Sequence, residues 1–126
     1  MDVIPPAQDL PFILQPIGPV MIVEFRQPSL MDPLVLENTS RRLYALVDQE
    51  DHRKVIMDFE KVQYLSSQAI GIVLNVNKKL GALKNSRLVL CGVGPRLMEL
   101  VRITRLDRVL TIKASQKEAL ATINGY

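Results

Sequence analysis

The 126-residue sequence has no tryptophan, one cysteine and one histidine, and aromatic residues make up only 5% of it. A lone cysteine excludes an internal disulfide, and one Cys with one His leaves a Cys/His metal cluster without ligands. No metal and no other cofactor are therefore expected. No apolar run reaches the ~18 residues that a membrane-spanning helix needs. The opening Met1-Asp2-Val3-Ile4-Pro5-Pro6 is acidic and broken by proline. It does not read as an export signal, so a cytoplasmic protein without membrane insertion is expected. Lys and Arg form no clustered run, and few rings are present to stack on bases, which argues against direct nucleic-acid binding.

What is present is ordinary for one soluble domain with one core: 48% apolar and 23% charged residues. The net charge of +3 hides an asymmetry. Residues 61–126 carry 11 Lys/Arg against 3 Asp/Glu, whereas residues 1–60 carry 5 against 10. A basic half of this kind suits either a solvated face or an acidic partner surface.

Residues 1–11 hold three prolines and no periodicity, so they read as an extended arm ahead of a single domain over 12–126. Residues 12–17 and 20–25 are short apolar strands around the turn signal Gly18-Pro19, which makes a hairpin. Asp32-Pro33 opens a helix through about Gln49, with Leu36, Leu43, Leu46 and Val47 inward. Residues 54–59 form a buried strand. Apolar residues at 69, 73, 76, 80 and 83 then predict an amphipathic helix over about 66–83. A strand over 87–91, a helix from Pro95 to about Ile103 and a strand over 109–112 follow. Ser115-Gln116-Lys117-Glu118 reads as a capping box opening a last helix. Strands joined by helices run parallel with right-handed crossovers, so the fold class is α/β: a mixed, mostly parallel sheet of about five strands with about four helices.

Function in such sheets gathers in the loops at the C-terminal ends of parallel strands. Those loops offer Tyr64, Ser66, Ser67, Gly92 and Gly94. His52 lies at the opposite end of its strand, and Asp58 and Glu60 have no third partner in view, so a catalytic triad is not expected and the chain does not read as an enzyme. Gly92-Val93-Gly94-Pro95 lacks the spacing and lysine of a phosphate loop and reads as a tight turn. Cys91 reads as a small buried hydrophobe. Ser66 and Ser67 stand where a helix begins, with free N–H groups and the positive end of the helix dipole nearby. A serine there caps the helix, contributing about 1 kcal/mol, or presents its hydroxyl for chemistry. Ser67, Gly71, Leu74 and Lys78 share a second side of that helix. They fit a protein-contact stripe, or a flank that another helix of the same domain covers.

Taken together, Val55-Ile56-Met57-Asp58-Phe59-Glu60-Lys61-Val62-Gln63-Tyr64-Leu65-Ser66-Ser67-Gln68-Ala69-Ile70-Gly71, the strand Arg87–Cys91, Val93-Gly94-Pro95, Ile103-Thr104-Arg105-Leu106, and Ser115 with Glu118-Ala119-Leu120 resemble the STAS domain family. Within it they resemble the bacterial anti-sigma factor antagonists. The likeness runs from about residue 12 to 123. It implies a STAS-like fold and a non-catalytic binding module that controls sigma-factor-dependent transcription. Its partner would be an anti-sigma factor that is also a serine kinase, with a phosphoserine phosphatase reversing the mark. The resemblance puts the phosphorylated serine at Ser66, with Ser67 beside it, and partner contacts at Ser66, Ser67, Gly71, Leu74 and Lys78. This chain departs from the family's Asp-Ser-Ser/Thr-Gly in having Leu65 for Asp and Gln68 for Gly, and Arg105 stands where Gly is frequent. The Leu65 and Gln68 departures also suit a second role, a non-switching STAS scaffold or regulatory subunit of a larger complex such as a lipid transport system. Oligomeric state is left open.

Overall fold

The three most apolar runs of the chain become the inner strands of its sheet. In the computed structural model, which describes residues 10–124, β1 (Phe12–Ile17) and β2 (Val20–Phe25) form the antiparallel hairpin. Gly18 turns it at φ 57°, a left-handed conformation that suits glycine. A two-residue strand β3 (Ser29–Leu30) precedes α1 (Pro33–Asp48). The Asp32 carboxylate caps that helix, accepting the N–H groups of Leu34 at 2.9 Å and Val35 at 3.3 Å.

Next come β4 (Lys54–Asp58), β5 (Tyr64–Leu65), α2 (Ser67–Gly81) and β6 (Arg87–Cys91). The chain continues through α3 (Pro95–Ile103), a 3-10 turn over Leu106–Arg108, β7 (Thr111–Lys113) and α4 (Gln116–Asn124). The sheet runs β1-β2-β4-β6-β7, and every pairing except β1 with β2 is parallel. Its edges are β1, which contains Pro16, and the three-residue β7. The five strands and four helices match the expected architecture.

Alternation sorts the strand side chains onto two faces. Met21, Val23, Val55, Met57, Leu88 and Leu90 meet α1, α2 and α3 in the larger core. The rings of Phe12 and Phe25 (5.7 Å) and of Phe25 and Phe59 (5.0 Å) extend that core. Val20, Ile22, Ile56, Val89 and Cys91 face Ala119 and Ile123 of α4 on the other side. The capping box at α4 differs slightly from the ideal. Ser115 Oγ accepts the Glu118 N–H at 3.2 Å, but the Glu118 carboxylate returns to the N–H of Ala114.

Three details differ from expectation. The expected arm lies outside the described residues over positions 1–9. Leu10 packs half-buried on the core, and the Pro11 carbonyl accepts the Arg26 N–H at 2.8 Å. The last strand begins at Thr111 rather than 109, because the 3-10 turn holds the chain up to Arg108 and Val109 stays exposed. Finally, Ser29–Leu30 and Tyr64–Leu65, expected as loop, pair in parallel as a separate two-stranded sheet. Two residues are too few to show a period of two.

Candidate functional site

The small β3–β5 sheet decides how the start of α2 is presented. Leu65 turns inward and lines an apolar pocket with Phe59, Ile70, Leu90 and Leu97. The flanking Tyr64 is 45% exposed and Ser66 half-buried, as alternation along the strand requires. The Ser66 N–H donates to the Leu30 carbonyl at 3.1 Å, so β3 anchors the residue from below. With φ −82° and ψ 168°, Ser66 is the extended N-cap of α2. Its Oγ accepts the Ala69 N–H at 3.2 Å. No acceptor for its own O–H is recorded among the described residues.

Ser66 therefore caps the helix, and the residue is half-buried. Ser67 is exposed. Gln68, the residue at the family's glycine position, reaches sideways to the Pro33 carbonyl at 3.4 Å. Its side chain lies along the start of α1.

The stripe 67–71–74–78 runs up the side of α2 away from the core. Helix α1 holds the adjacent flank instead, through Asn75 with the Tyr44 hydroxyl (3.0 Å) and Lys79 with Asp48 (2.7 Å). Ser67 and Lys78 are exposed and Gly71 is half-exposed. A Cβ built on Gly71 meets no atom within 4 Å. Leu74 departs from a free stripe, since it is half-buried and packs on the core.

Three neighbours of this turn were not anticipated. The Arg96 guanidinium lies over the Tyr64 ring, with Cζ 5.0 Å from the ring centroid. Met31 and Leu34 bracket Pro33 and are exposed, Leu34 by 74%. Leu34 had a signal in the sequence: it is apolar yet lies off the face defined by Leu36, Leu43, Leu46 and Val47. The Tyr64–Arg96 pair joins positions 32 apart, and nothing in the sequence links them.

A second polar cluster lies on the α4 side of the strand ends. Asp58 is 5% exposed, and it does have partners. One oxygen accepts the Glu60 N–H at 2.9 Å and the other accepts the Gln116 amide at 2.6 Å. Gly92, at φ 69°, passes so close that a Cβ there would come within 2.8 Å of the Asp58 carboxylate. Beside it Cys91 is fully buried, as expected. Burial, followed by the charges of Asp58 and Glu60, pushes its thiol up to about 12 from 9.0. A thiol held protonated in this way is a poor nucleophile. His52 lies at the opposite end of the sheet, beside Glu50 at 3.7 Å. Among the described residues no group of three or more His, Cys, Asp and Glu is arranged to hold a metal, and no helix is long and apolar enough to cross a membrane.

A family model described as the STAS domain matches residues 13–119. BtrV of Bordetella bronchiseptica, which bears the name of an anti-sigma factor antagonist, is 31% identical over 85 residues, or 68% of this chain and 72% of that protein. An anti-sigma-factor antagonist (STAS) domain protein from Planctomyces limnophilus has the same fold, with TM-score 0.78 and 22% identity over 89% of this chain and 96% of that one. So does the Bacillus cell fate determinant SpoIIAA in its phosphorylated form, with TM-score 0.69 and 19% identity over 89% of this chain and 98% of that one.

Proposed function

The chain belongs to the STAS domain family, and from there we propose that it works as an anti-sigma factor antagonist switched by phosphorylation of Ser66. The observation that supports this reading is Ser66 itself, the half-buried N-cap of α2, whose hydroxyl accepts one hydrogen bond at 3.2 Å and donates none among the described residues. In the unmodified state the helix start docks on an anti-sigma factor with serine kinase activity and so frees a sigma factor. The docking surface comprises Ser66, Ser67, Gly71 and Lys78, the exposed edge of Leu74, and the apolar rim of Met31 and Leu34. The setting is cytoplasmic, and the antagonist is a substrate of the kinase and of a phosphoserine phosphatase.

The switch itself is electrostatic. Phosphate adds about −1.5 to −2 charges at Ser66. In the free protein the positive end of α2 and the surrounding water accommodate them. Within an interface the dianion loses its water, and a penalty of several kcal/mol suffices to abolish binding, since about 1.4 kcal/mol is tenfold. The name borne by BtrV and the phosphorylated form of SpoIIAA support this assignment. Gln68, at the family's glycine position, turns its side chain to the Pro33 carbonyl at 3.4 Å.

The test begins with affinity capture, with and without ATP, to obtain the partner. The purified pair is then incubated with ATP and the phosphate is located by mass spectrometry. We expect modification at Ser66, none in Ser66→Ala, and loss of partner binding in Ser66→Asp. An unmodified Ser66, with both variants binding as the wild type does, overturns the proposal. Capture of membrane-transport components in place of an anti-sigma kinase would assign the scaffold role instead.

A further inference from the structure

Arg96 is a cation without a carboxylate. It occupies the second position of α3, is exposed, and takes part in none of the ion pairs recorded among the described residues. Its guanidinium lies instead on the Tyr64 ring at 5.0 Å, an exposed and weak form of attachment. The turn over residues 61–71 contains no Asp or Glu to claim it, since Leu65 fills the one position where the family carries Asp.

The position of the ring gives this pairing a direction. Tyr64 and Ser66 are two residues apart in extended backbone and leave it on the same side, while the half-buried Leu65 between them lines the apolar pocket. Side chains so spaced stand roughly 7 Å apart, comparable with the length of an arginine side chain. Transfer to a group on the Ser66 oxygen would require only a rotation about the Arg96 torsions over a span of this order. The planar fork matches phosphate with two parallel charge-assisted hydrogen bonds, which an aromatic face cannot match. Other charges nearby are already engaged: Lys61 pairs with Glu24 at 3.6 Å, and Asp32 caps α1.

We propose that Arg96 is the phosphate-receiving residue of this switch: parked on Tyr64 while Ser66 is unmodified, it transfers to the phosphoserine and leaves the Tyr64 ring bare. The proposal rests on Ser66 being the modified residue. Phosphorylation then changes two things on the docking surface. It adds a capped dianion at Ser66, and it exchanges a cation-covered ring for an apolar one.

The test installs phosphoserine at position 66 genetically, so that no kinase is needed. In the unmodified protein the Arg96 Nε–Hε resonance carries the ring-current shift of Tyr64. With phosphoserine in place it moves downfield and exchanges more slowly with water. The second ionisation of the phosphate, followed by phosphorus NMR, rises by about 1 unit in Arg96→Gln and by less in Arg96→Lys. An Arg96 resonance indifferent to phosphoserine, with the same phosphate midpoint in wild type and Arg96→Gln, overturns the proposal. Failure of any kinase to modify Ser66 would instead strike the switch itself, without altering the outcome of these measurements.

Discussion

Two polar turns flank the ends of the inner strands, and they are built in opposite ways. On the α4 side, Asp58 is buried with both carboxylate oxygens engaged, and Gly92 closes over it without room for a methyl group. On the α2 side, Ser66 is half-buried, its hydroxyl accepts one bond, and there is open space above Gly71 five residues further on. A polar group that is buried and satisfied holds the architecture together. One that is anchored through its backbone while its side chain retains bonding capacity is free to be modified without unfolding the domain. In this chain the first kind ties α4 to the sheet, and the second caps α2 at the proposed docking surface.

The largest way to break the contrast is Gly92→Ala. The added Cβ would lie 2.8 Å from Asp58 and 2.9 Å from the Glu60 nitrogen, at a φ that alanine resists. Urea denaturation should show a loss of about 2–4 kcal/mol. The next effect comes from pH. Because the folded chain holds the Cys91 proton up to about 12 whereas the ordinary value is 9.0, its contribution to stability is intact below pH 9 and is lost as pH rises toward 12. Denaturation midpoints should fall over that range, and less steeply in Cys91→Ala.

Asp58→Ala removes the acceptor of two donors and should cost about 1–3 kcal/mol by the same assay, with part of the loss recovered in Asp58→Asn. The smallest change belongs to the other turn and has the opposite sign. Gly71→Ala adds a methyl group into open space on a helix and should raise stability by about 0.5–1 kcal/mol. Calorimetry on the domain and on its complex should then show a more stable domain that binds its partner more weakly. A more stable domain with unchanged binding would remove Gly71 from the docking surface.

Periodic elements were legible because their physics is local. The Asp32 cap, the apolar faces of α1 and α2 and the three parallel inner strands follow from residues close in the chain. The β3–β5 pair escaped because its two strands are two residues long and lie over 30 positions apart. The partners of Asp58 and Arg96 escaped for the same reason: Gln116 and Tyr64 reach them only through tertiary packing. The 3-10 turn had one visible sign, Arg105, where the family often has glycine. Arg105 adopts φ 59°, the left-handed conformation that explains the family's preference. The position of Ser66 was legible from helix periodicity, but its anchoring by the Leu30 carbonyl and the turn of Leu65 into the apolar pocket depend on tertiary packing.

Pro16 has a further consequence. A proline in an edge strand offers no N–H to a newcomer, and the opposite edge is only three residues long. Neither rim of the sheet is a good template for strand addition, so β-augmentation by a neighbour is discouraged on both sides. Under the proposed function, recognition is left to side chains, whose charge can be rewritten by one chemical group, rather than to backbone hydrogen bonds, which no phosphate could erase.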